Sequence, residues 1–267
     1  MGIEIDESCL TTLFFGDDQV IIANCEEDID YMLRKLKEEY EKWGLNINMK
    51  KTEYLHIGGE QEEEDPSLQL REIRSCKEYK YLGSIISKEG TSDNDIAYRV
   101  QQGKKCVRIL NSLLWSSQIS LNTKMTIYRA IVEPIMTYGS ECWQLSVKNK
   151  RSIDTVEVDF LRRANRVSRL EHIPNAEIRR RSKRVHTTSE QIETRQLIWY
   201  GHVMRMDNTR WPKRALNYAP INRRKKGRPA ISWMKGIENT MRDRAIAEDE
   251  WRDRKRWRSK CGMRQRP

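Results

Sequence analysis

Two adjacent aspartates are the residues of this sequence best suited to chemistry. Asp17 and Asp18 follow Gly16 at a turn between two apolar runs, residues 10–15 and 20–23. Carboxylates this close repel each other, and a divalent cation relieves that repulsion. In nucleotidyl transfer such carboxylates hold Mg²⁺ or Mn²⁺, which lowers the pKa of an attacking hydroxyl. The pair is therefore a candidate metal site, although an Asp-rich turn is common in proteins without any such role.

The elements around this pair are predicted from apolar periodicity. The two runs beside Gly16 predict a β-hairpin. Residues 25–43 predict an amphipathic helix packed on it, beginning at a capping box of Asn24 and Glu27 and ending at Gly44. Short strands are expected in four further stretches, with the last two paired. These stretches are residues 45–49, 54–57, 68–73 and 79–86.

Helices are expected in the rest of the chain, because apolar residues recur there at three- and four-residue intervals. One helix is predicted over residues 96–114, a second over 121–132 with a break near Pro134, and a third over 153–167. Beyond residue 170 the pattern stays helical but becomes dense in cations. The predicted fold class is α+β, with strands in the first ninety residues and helices after them.

The charge of +11 is distributed unevenly along the 267 residues. Residues 1–75 carry a net charge of −11, residues 76–150 of +5 and residues 151–267 of +17. An excess of Arg on this scale favours a polyanionic partner, most often nucleic acid, because Lys and Arg displace counterions from phosphates. The alternative is a solvated helical surface. A basic run, Arg223, Arg224, Lys225, Lys226 and Arg228, lies within this region.

Several motifs occur in the order found in one polymerase family. Phe15-Gly16-Asp17-Asp18 is followed by the run from Gly44 to Glu53 and then by Tyr81-Leu82-Gly83. This order resembles the palm of reverse transcriptases from non-LTR (LINE-type) retrotransposons. The run from Tyr138 to Trp143 is similar to the thumb of that family. The run from Trp199 to Met206, with the later Lys226-Gly227-Arg228-Pro229, resembles the tail of its RTE-like members.

The resemblance implies an architecture and a set of roles. Residues 1–90 would be a partial palm with a primer-grip hairpin, residues 91–170 a thumb-like bundle, and residues 171–267 a basic helical tail. Asp17 and Asp18 would hold Mg²⁺ or Mn²⁺ and act in catalysis with Lys51, which would protonate the leaving pyrophosphate. The residues that would bind nucleic acid are Tyr81, Leu82, Gly83, Arg223, Arg224, Lys225, Lys226 and Arg228.

Each role has a simpler alternative. Lys51 has the sequence context of an exposed loop residue, and Tyr81 and Leu82 that of ordinary sheet packing. The run from Arg223 to Arg228 is also consistent with a nuclear localisation signal or with a chance cluster.

The resemblance also implies an incomplete active site. A polymerase palm completes its metal site with an Asp on a strand upstream of the hairpin, and about ten residues precede the hairpin in this sequence. We therefore expect a C-terminal piece of a reverse transcriptase, with weak or no metal binding and no polymerase activity alone.

Three functional hypotheses follow from the sequence. The first is a fragment of an RNA-directed DNA polymerase that binds RNA template and DNA primer or target. The second is a non-catalytic nucleic-acid-binding protein derived from such an element. The third, an RNA-dependent RNA polymerase remnant, rests on Gly16-Asp17-Asp18 alone. No protein partner, membrane span or signal peptide is evident, so an intracellular protein, nuclear or cytoplasmic and not secreted, is expected.

Overall fold

A computed structural model describes residues 1–5, 8–57, 73–218 and 232–262. It divides into two compact units. The N-terminal unit comprises Met1–Tyr79, Ser87–Gly90 and Met206–Lys225, and the helical unit comprises Lys80–Ile86, Thr91–Arg205 and Lys226–Pro267. Short two-stranded sheets accompany many helices, and the predicted α+β class is confirmed.

All strands lie in the first ninety residues of the described chain. β1 (Ile3–Ile5) pairs antiparallel with β2 (Ser8–Leu10), β3 (Thr12–Phe15) antiparallel with β4 (Asp18–Ile21), and β5 (Glu53–Tyr54) parallel with β6 (Arg74–Ser75). β7 (Glu78–Tyr81) and β8 (Ser84–Ser87) form a further two-stranded sheet. The predicted hairpin around Gly16 is therefore confirmed.

The predicted strand over residues 45–49 is wrong. This segment turns instead, because the carbonyl of Asn48 accepts hydrogen bonds from the N–H groups of Lys51 at 3.0 Å and Thr52 at 3.1 Å. The hydroxyl of Thr52 donates to the same carbonyl at 3.0 Å. Thr side chains readily make such local bonds to the backbone, which compete with strand pairing. Of the predicted strand at 54–57, only Tyr54 is in a ladder.

Helix α1 (Glu26–Lys42) ends as its sequence predicts and begins differently. Gly44 has φ +71°, and its N–H donates to the carbonyl of Glu41 at 3.1 Å, which closes the helix. At the start, Cys25 is the capping residue and makes no side-chain cap, so the predicted capping box of Asn24 is wrong. The acidic first turn stabilises this end through the helix dipole.

The remaining helices follow in chain order. They are α2 (Asp93–Ile109), α3 (Asn111–Trp115), α4 (Leu121–Ile127), α5 (Glu133–Thr137), α6 (Val147–Ala164), α7 (Asn175–Arg181), α8 (Thr188–Met204), α9 (Trp211–Asn217), α10 (Trp233–Asp243) and α11 (Arg254–Cys261). α9 belongs to the N-terminal unit and the others to the helical unit. The described part of residues 150–260 contains no strand. In the described residues, no helix combines the length and the apolar character that a membrane span needs.

Pro134 does not end its helix, contrary to the prediction. A π-helical turn, Tyr128–Val132, leads directly into α5, which has Pro134 in its first turn. Proline has no N–H to donate and crowds the carbonyl four residues earlier, and the wider π turn accommodates it. The single helix predicted over residues 96–114 is likewise two helices, α2 and α3, which meet at Leu110.

The core of the helical unit is built around α6. Its buried face carries Ile153, Val156, Phe160 and Leu161, and the ring of Phe160 lies 4.9 Å from that of Tyr128. α2, α4 and α8 contribute to the same cluster of buried residues. The helical tail joins the unit through Trp257 on α11. Its indole N–H donates to the Leu197 carbonyl of α8 at 2.9 Å.

Candidate nucleic-acid interface

The predicted metal residues lie at the tip of the β3–β4 hairpin. Phe15 pairs with Asp18 across a two-residue turn of Gly16, with φ +61°, and Asp17. Both carboxylates are exposed. Such a pair suits Mg²⁺, which proteins commonly bind through one or two carboxylates together with substrate phosphates. Within the described residues, however, no three His, Cys, Asp or Glu side chains come together as a metal site.

Lys51 lies in the turn that replaces the predicted strand, and its side chain is exposed. Among the residues that the structure describes, no hydrogen bond or ion pair joins Lys51 to Asp17 or Asp18. The structure therefore forms the hairpin tip that the sequence predicts but does not connect Lys51 to it.

The predicted primer-grip residues form the tight turn between β7 and β8. Leu82 and Gly83 have positive φ, +48° and +86°, as a two-residue hairpin turn of the primed type requires. The Tyr138 hydroxyl donates to the Leu82 carbonyl at 2.7 Å, and the Arg99 guanidinium donates to the Gly83 carbonyl. The same guanidinium lies 4.5 Å from the centre of the Tyr138 ring. The turn is therefore clamped by side chains of the helical unit.

A buried carboxylate completes this clamp. Asp95 on α2 accepts the backbone N–H of Ile85 at 3.1 Å and the indole N–H of Trp143 at 2.8 Å. Both oxygens are thus engaged by neutral donors, and the guanidinium of Arg99 is 3.8 Å away. Asp95, Arg99, Tyr138 and Trp143 were not among the predicted site residues. The basic run from Arg223 to Arg228 lies outside the described residues.

A basic groove opens on the helical unit between α2, α3 and α6. It has a volume of about 660 Å³, and it is lined by five cationic side chains and one carboxylate. Its charged and aromatic lining residues are Lys104, Arg108, Trp115, Asp159, Arg162, Arg163 and Arg169. This basic groove was not predicted from the sequence. The one available signal was the spacing of Lys104 and Arg108, which places both on the same face of α2.

The cations of the basic groove differ in how far they are neutralised. Asp159 accepts from Arg163 at 3.1 Å and from Arg169 at 3.3 Å. Lys104 and Arg108 are exposed and have no ion-pair or hydrogen-bond partner among the described residues. Arg162 donates to the carbonyl of Ile173 and to Asn175, neither of which carries charge. The basic groove therefore has a strong excess of positive charge, which suits phosphate groups.

Lys124 joins the ends of two helices that line the basic groove. Its buried ammonium donates to the carbonyl of Ser116 at 2.7 Å and to that of Ala164 at 3.3 Å. These carbonyls lie at the C-terminal ends of α3 and α6, where a cation is stabilised by the helix dipoles. Burial lowers the pKa of Lys124 from its ordinary value. Its position in α4 gave no sign of this role, since a lone Lys on a short helix is usually exposed.

Comparisons with known proteins bear on the origin of the chain. No family model matches it. It is 27% identical over 273 residues to an uncharacterized transposon-derived protein of Caenorhabditis elegans, across 93% of this chain and 94% of that protein. It is also 24% identical over 170 residues to the RNA-directed DNA polymerase from the mobile element jockey of Drosophila melanogaster. The chain is of retrotransposon-related origin.

The two similarities differ in extent. The match to the transposon-derived protein runs over nearly the whole of both chains. The match to the jockey polymerase covers 60% of this chain but only 18% of that enzyme. The chain therefore corresponds to a small part of the jockey polymerase. A similarity of this extent does not assign the activity of the whole enzyme to the chain.

Proposed function

We propose that the chain is derived from a reverse transcriptase and binds template–primer nucleic acid, one strand of which contacts the basic groove of its helical unit. The observation that carries this proposal is the groove itself, where five cationic side chains face one carboxylate. The similarity to a retrotransposon polymerase supports the choice of nucleic acid over other polyanions. Such binding is driven by release of counterions from the phosphates and is therefore sensitive to salt.

Within this proposal the clamped turn would position a primer strand. Tyr81, Leu82 and Gly83 form the tip of the β7–β8 hairpin, and two of their carbonyls are held by Arg99 and Tyr138. A turn held in this way presents a fixed backbone surface to a bound strand. The clamping residues belong to the same unit as the basic groove.

For catalysis, the proposal extends only to metal binding. Asp17 and Asp18 are the residues that would hold Mg²⁺ or Mn²⁺, which supplies charge neutralisation at a triphosphate when bound. We assign no nucleotide transfer to these 267 residues alone, because the described part of the chain brings no further acidic group to this pair. A non-catalytic nucleic-acid-binding protein is therefore the second candidate, located inside the cell with its nucleic acid.

A salt titration tests the proposal. The variant Lys104→Ala/Arg108→Ala removes two free cations from the basic groove, and Arg254→Ala/Arg258→Ala removes two exposed cations at the same spacing from α11. Each phosphate contact contributes roughly −0.9 to the log–log salt slope on duplex DNA and about −0.7 on a single strand. We expect the groove variant to lower the slope by about 1.4 to 1.8.

The α11 variant is the matched control, since it loses the same charge elsewhere on the helical unit. Binding constants would be measured by fluorescence anisotropy between about 50 and 200 mM salt. An unchanged affinity and slope in the groove variant would overturn the proposal. Equal losses in both variants would also overturn it, because they would reflect net charge and not the basic groove.

A further inference from the structure

Trp115 is a large apolar side chain held at the surface of the basic groove. It is the last residue of α3 and is 41% exposed, in a groove that it shares with Lys104 and Arg108. Exposure of an indole costs free energy unless another molecule covers it. Its indole N–H has no hydrogen-bond acceptor among the described residues. Trp115 therefore offers exposed indole surface and a free donor to a ligand.

The backbone on both sides of Trp115 is held in place. Leu114, the preceding residue, is fully buried in the core of the helical unit. The carbonyl of Ser116, the following residue, accepts a hydrogen bond from the buried ammonium of Lys124. Little backbone freedom therefore remains to be lost here when a ligand packs on the indole.

The size of the basic groove limits what can enter it. Its volume of about 660 Å³ lies in the range of pockets that hold one small organic molecule. A groove of that size accommodates one or two nucleotides of one strand. An aromatic face beside cations is the arrangement by which proteins hold single strands, since every base has a face that can stack.

We infer that the basic groove binds unpaired nucleotides, with a base stacked on Trp115 and the adjoining phosphates on Lys104 and Arg108. This inference rests on the proposed function and names its substrate class, single-stranded nucleic acid. Lys104 and Arg108 are four residues apart on α2, about 6 Å along the helix axis, and both are free of carboxylate partners. Asp159 pairs with Arg163 and Arg169, which places the free cations on the α2 side of the groove.

Trp115→Ala tests this inference in the full chain. Two labelled oligonucleotides are titrated in parallel. One is a single strand of about 12 nucleotides, and the other is a hairpin whose duplex stem has about 12 base pairs. Loss of one stacked base is expected to weaken single-strand binding about tenfold, and duplex binding by less than about twofold. Trp115→Phe keeps an aromatic face and is expected to retain most of the single-strand affinity. Trp43→Ala removes an exposed Trp from the N-terminal unit and serves as the control.

The results separate this inference from the proposed function. Unchanged single-strand binding in Trp115→Ala, or equal weakening of both substrates, overturns the inference. The proposed function still stands in that case if Lys104→Ala/Arg108→Ala lowers the salt slope. Unfolding midpoints of each variant are measured beside the affinities. Should Trp115→Ala fail to fold, Trp115→Leu, which keeps an apolar side chain but no aromatic face, replaces it and is expected to show the same selective loss. A preference for single strands that Trp115→Phe preserves and Trp115→Ala abolishes supports the inference.

Discussion

Phe160 and Phe14 are the same residue type in opposite surroundings. Phe160 lies fully buried in the helical unit, against Tyr128, whereas Phe14 is 67% exposed on β3 of the N-terminal unit. The same contrast holds for whole elements. Helix α6 buries eight residues, whereas none of the residues of α1 is buried. Apolar periodicity predicted both helices, α1 to within one residue at each end and most of α6. Of the two, α6 has enough neighbours to bury its apolar face.

The difference has a physical origin in the number of layers that surround each element. α6 packs against α2, α3, α4, α7 and α8. In the N-terminal unit the sheets have two strands each, and α1 meets β4 mainly through the bond from the Tyr40 hydroxyl to Gln19 at 2.7 Å. A two-stranded sheet with one helix gives little burial. Stability of the described chain is therefore expected to reside in the helical unit.

The largest expected effect compares the two Phe residues directly. Phe160→Ala should lower the free energy of unfolding by about 3 to 5 kcal/mol, because it removes a ring from a close-packed core. Phe14→Ala should change it by less than about 0.5 kcal/mol. Guanidinium unfolding followed by Trp fluorescence reports mainly on the helical unit, which holds six of the eight Trp residues. Similar losses in both variants would contradict the comparison.

The second effect concerns buried charge, which forms a network in the helical unit. Arg184 donates to Glu157 at 2.9 Å and to Glu133 at 3.2 Å, all three being buried. Arg184→Met should cost about 3 kcal/mol, the lower end for a broken buried pair, because Arg179 still reaches Glu157. Arg180→Met, which loses an exposed pair with Glu177, should leave the free energy of unfolding almost unchanged and is the matched control.

The cost of Arg184→Met should depend on pH in a defined direction. Burial raises the pKa of Glu157, and the bond to Arg184 opposes that rise. Without the guanidinium, the pKa of Glu157 in the folded state rises further above its value in the unfolded state. The folded state of the variant therefore takes up a proton at a higher pH than the unfolded state does. The deficit of the variant relative to the natural chain should therefore shrink as the pH is lowered from neutrality toward the ordinary pKa of a glutamate. A deficit that is constant or grows on acidification would contradict this account of the network.

The smallest effect tests the clamped turn where glycine is required. Gly83 has φ +86°, and a Cβ there would lie 3.2 Å from the ring of Tyr138. Gly83→Ala should therefore cost about 1 to 2 kcal/mol. Gly236 on α10 has open space around it, and Gly236→Ala should stabilise by up to about 1 kcal/mol. Thermal unfolding of both variants distinguishes them by sign. A neutral Gly83→Ala would show that the turn is not held as the structure describes.

Much of the secondary structure was predictable because its causes are local. Gly16 with two flanking apolar runs predicted the β3–β4 hairpin, and the periodicity from Ile153 to Val167 predicted most of α6. The errors arise where another local structure competes with the predicted one. Hydrogen bonds to the carbonyl of Asn48 form a turn beside a predicted strand, and the π turn before Pro134 lets a helix continue. The predicted site residues lie in two hairpin turns and one further turn, and their roles stay predictions. They are Asp17, Asp18, Lys51, Tyr81, Leu82 and Gly83.

The sequence by itself determined the α+β class, the helices that carry most of the positive charge, and the motif order that points to a retrotransposon-related origin. Only the tertiary structure decided which cations share a surface. The basic groove is lined by residues that are far apart along the chain, among them Lys104, Trp115 and Arg162. They share one surface because α2, α3 and α6 pack together, with Lys124 bonded to the ends of α3 and α6. Burial and distance are properties of packing, and no local pattern of residue types encodes them.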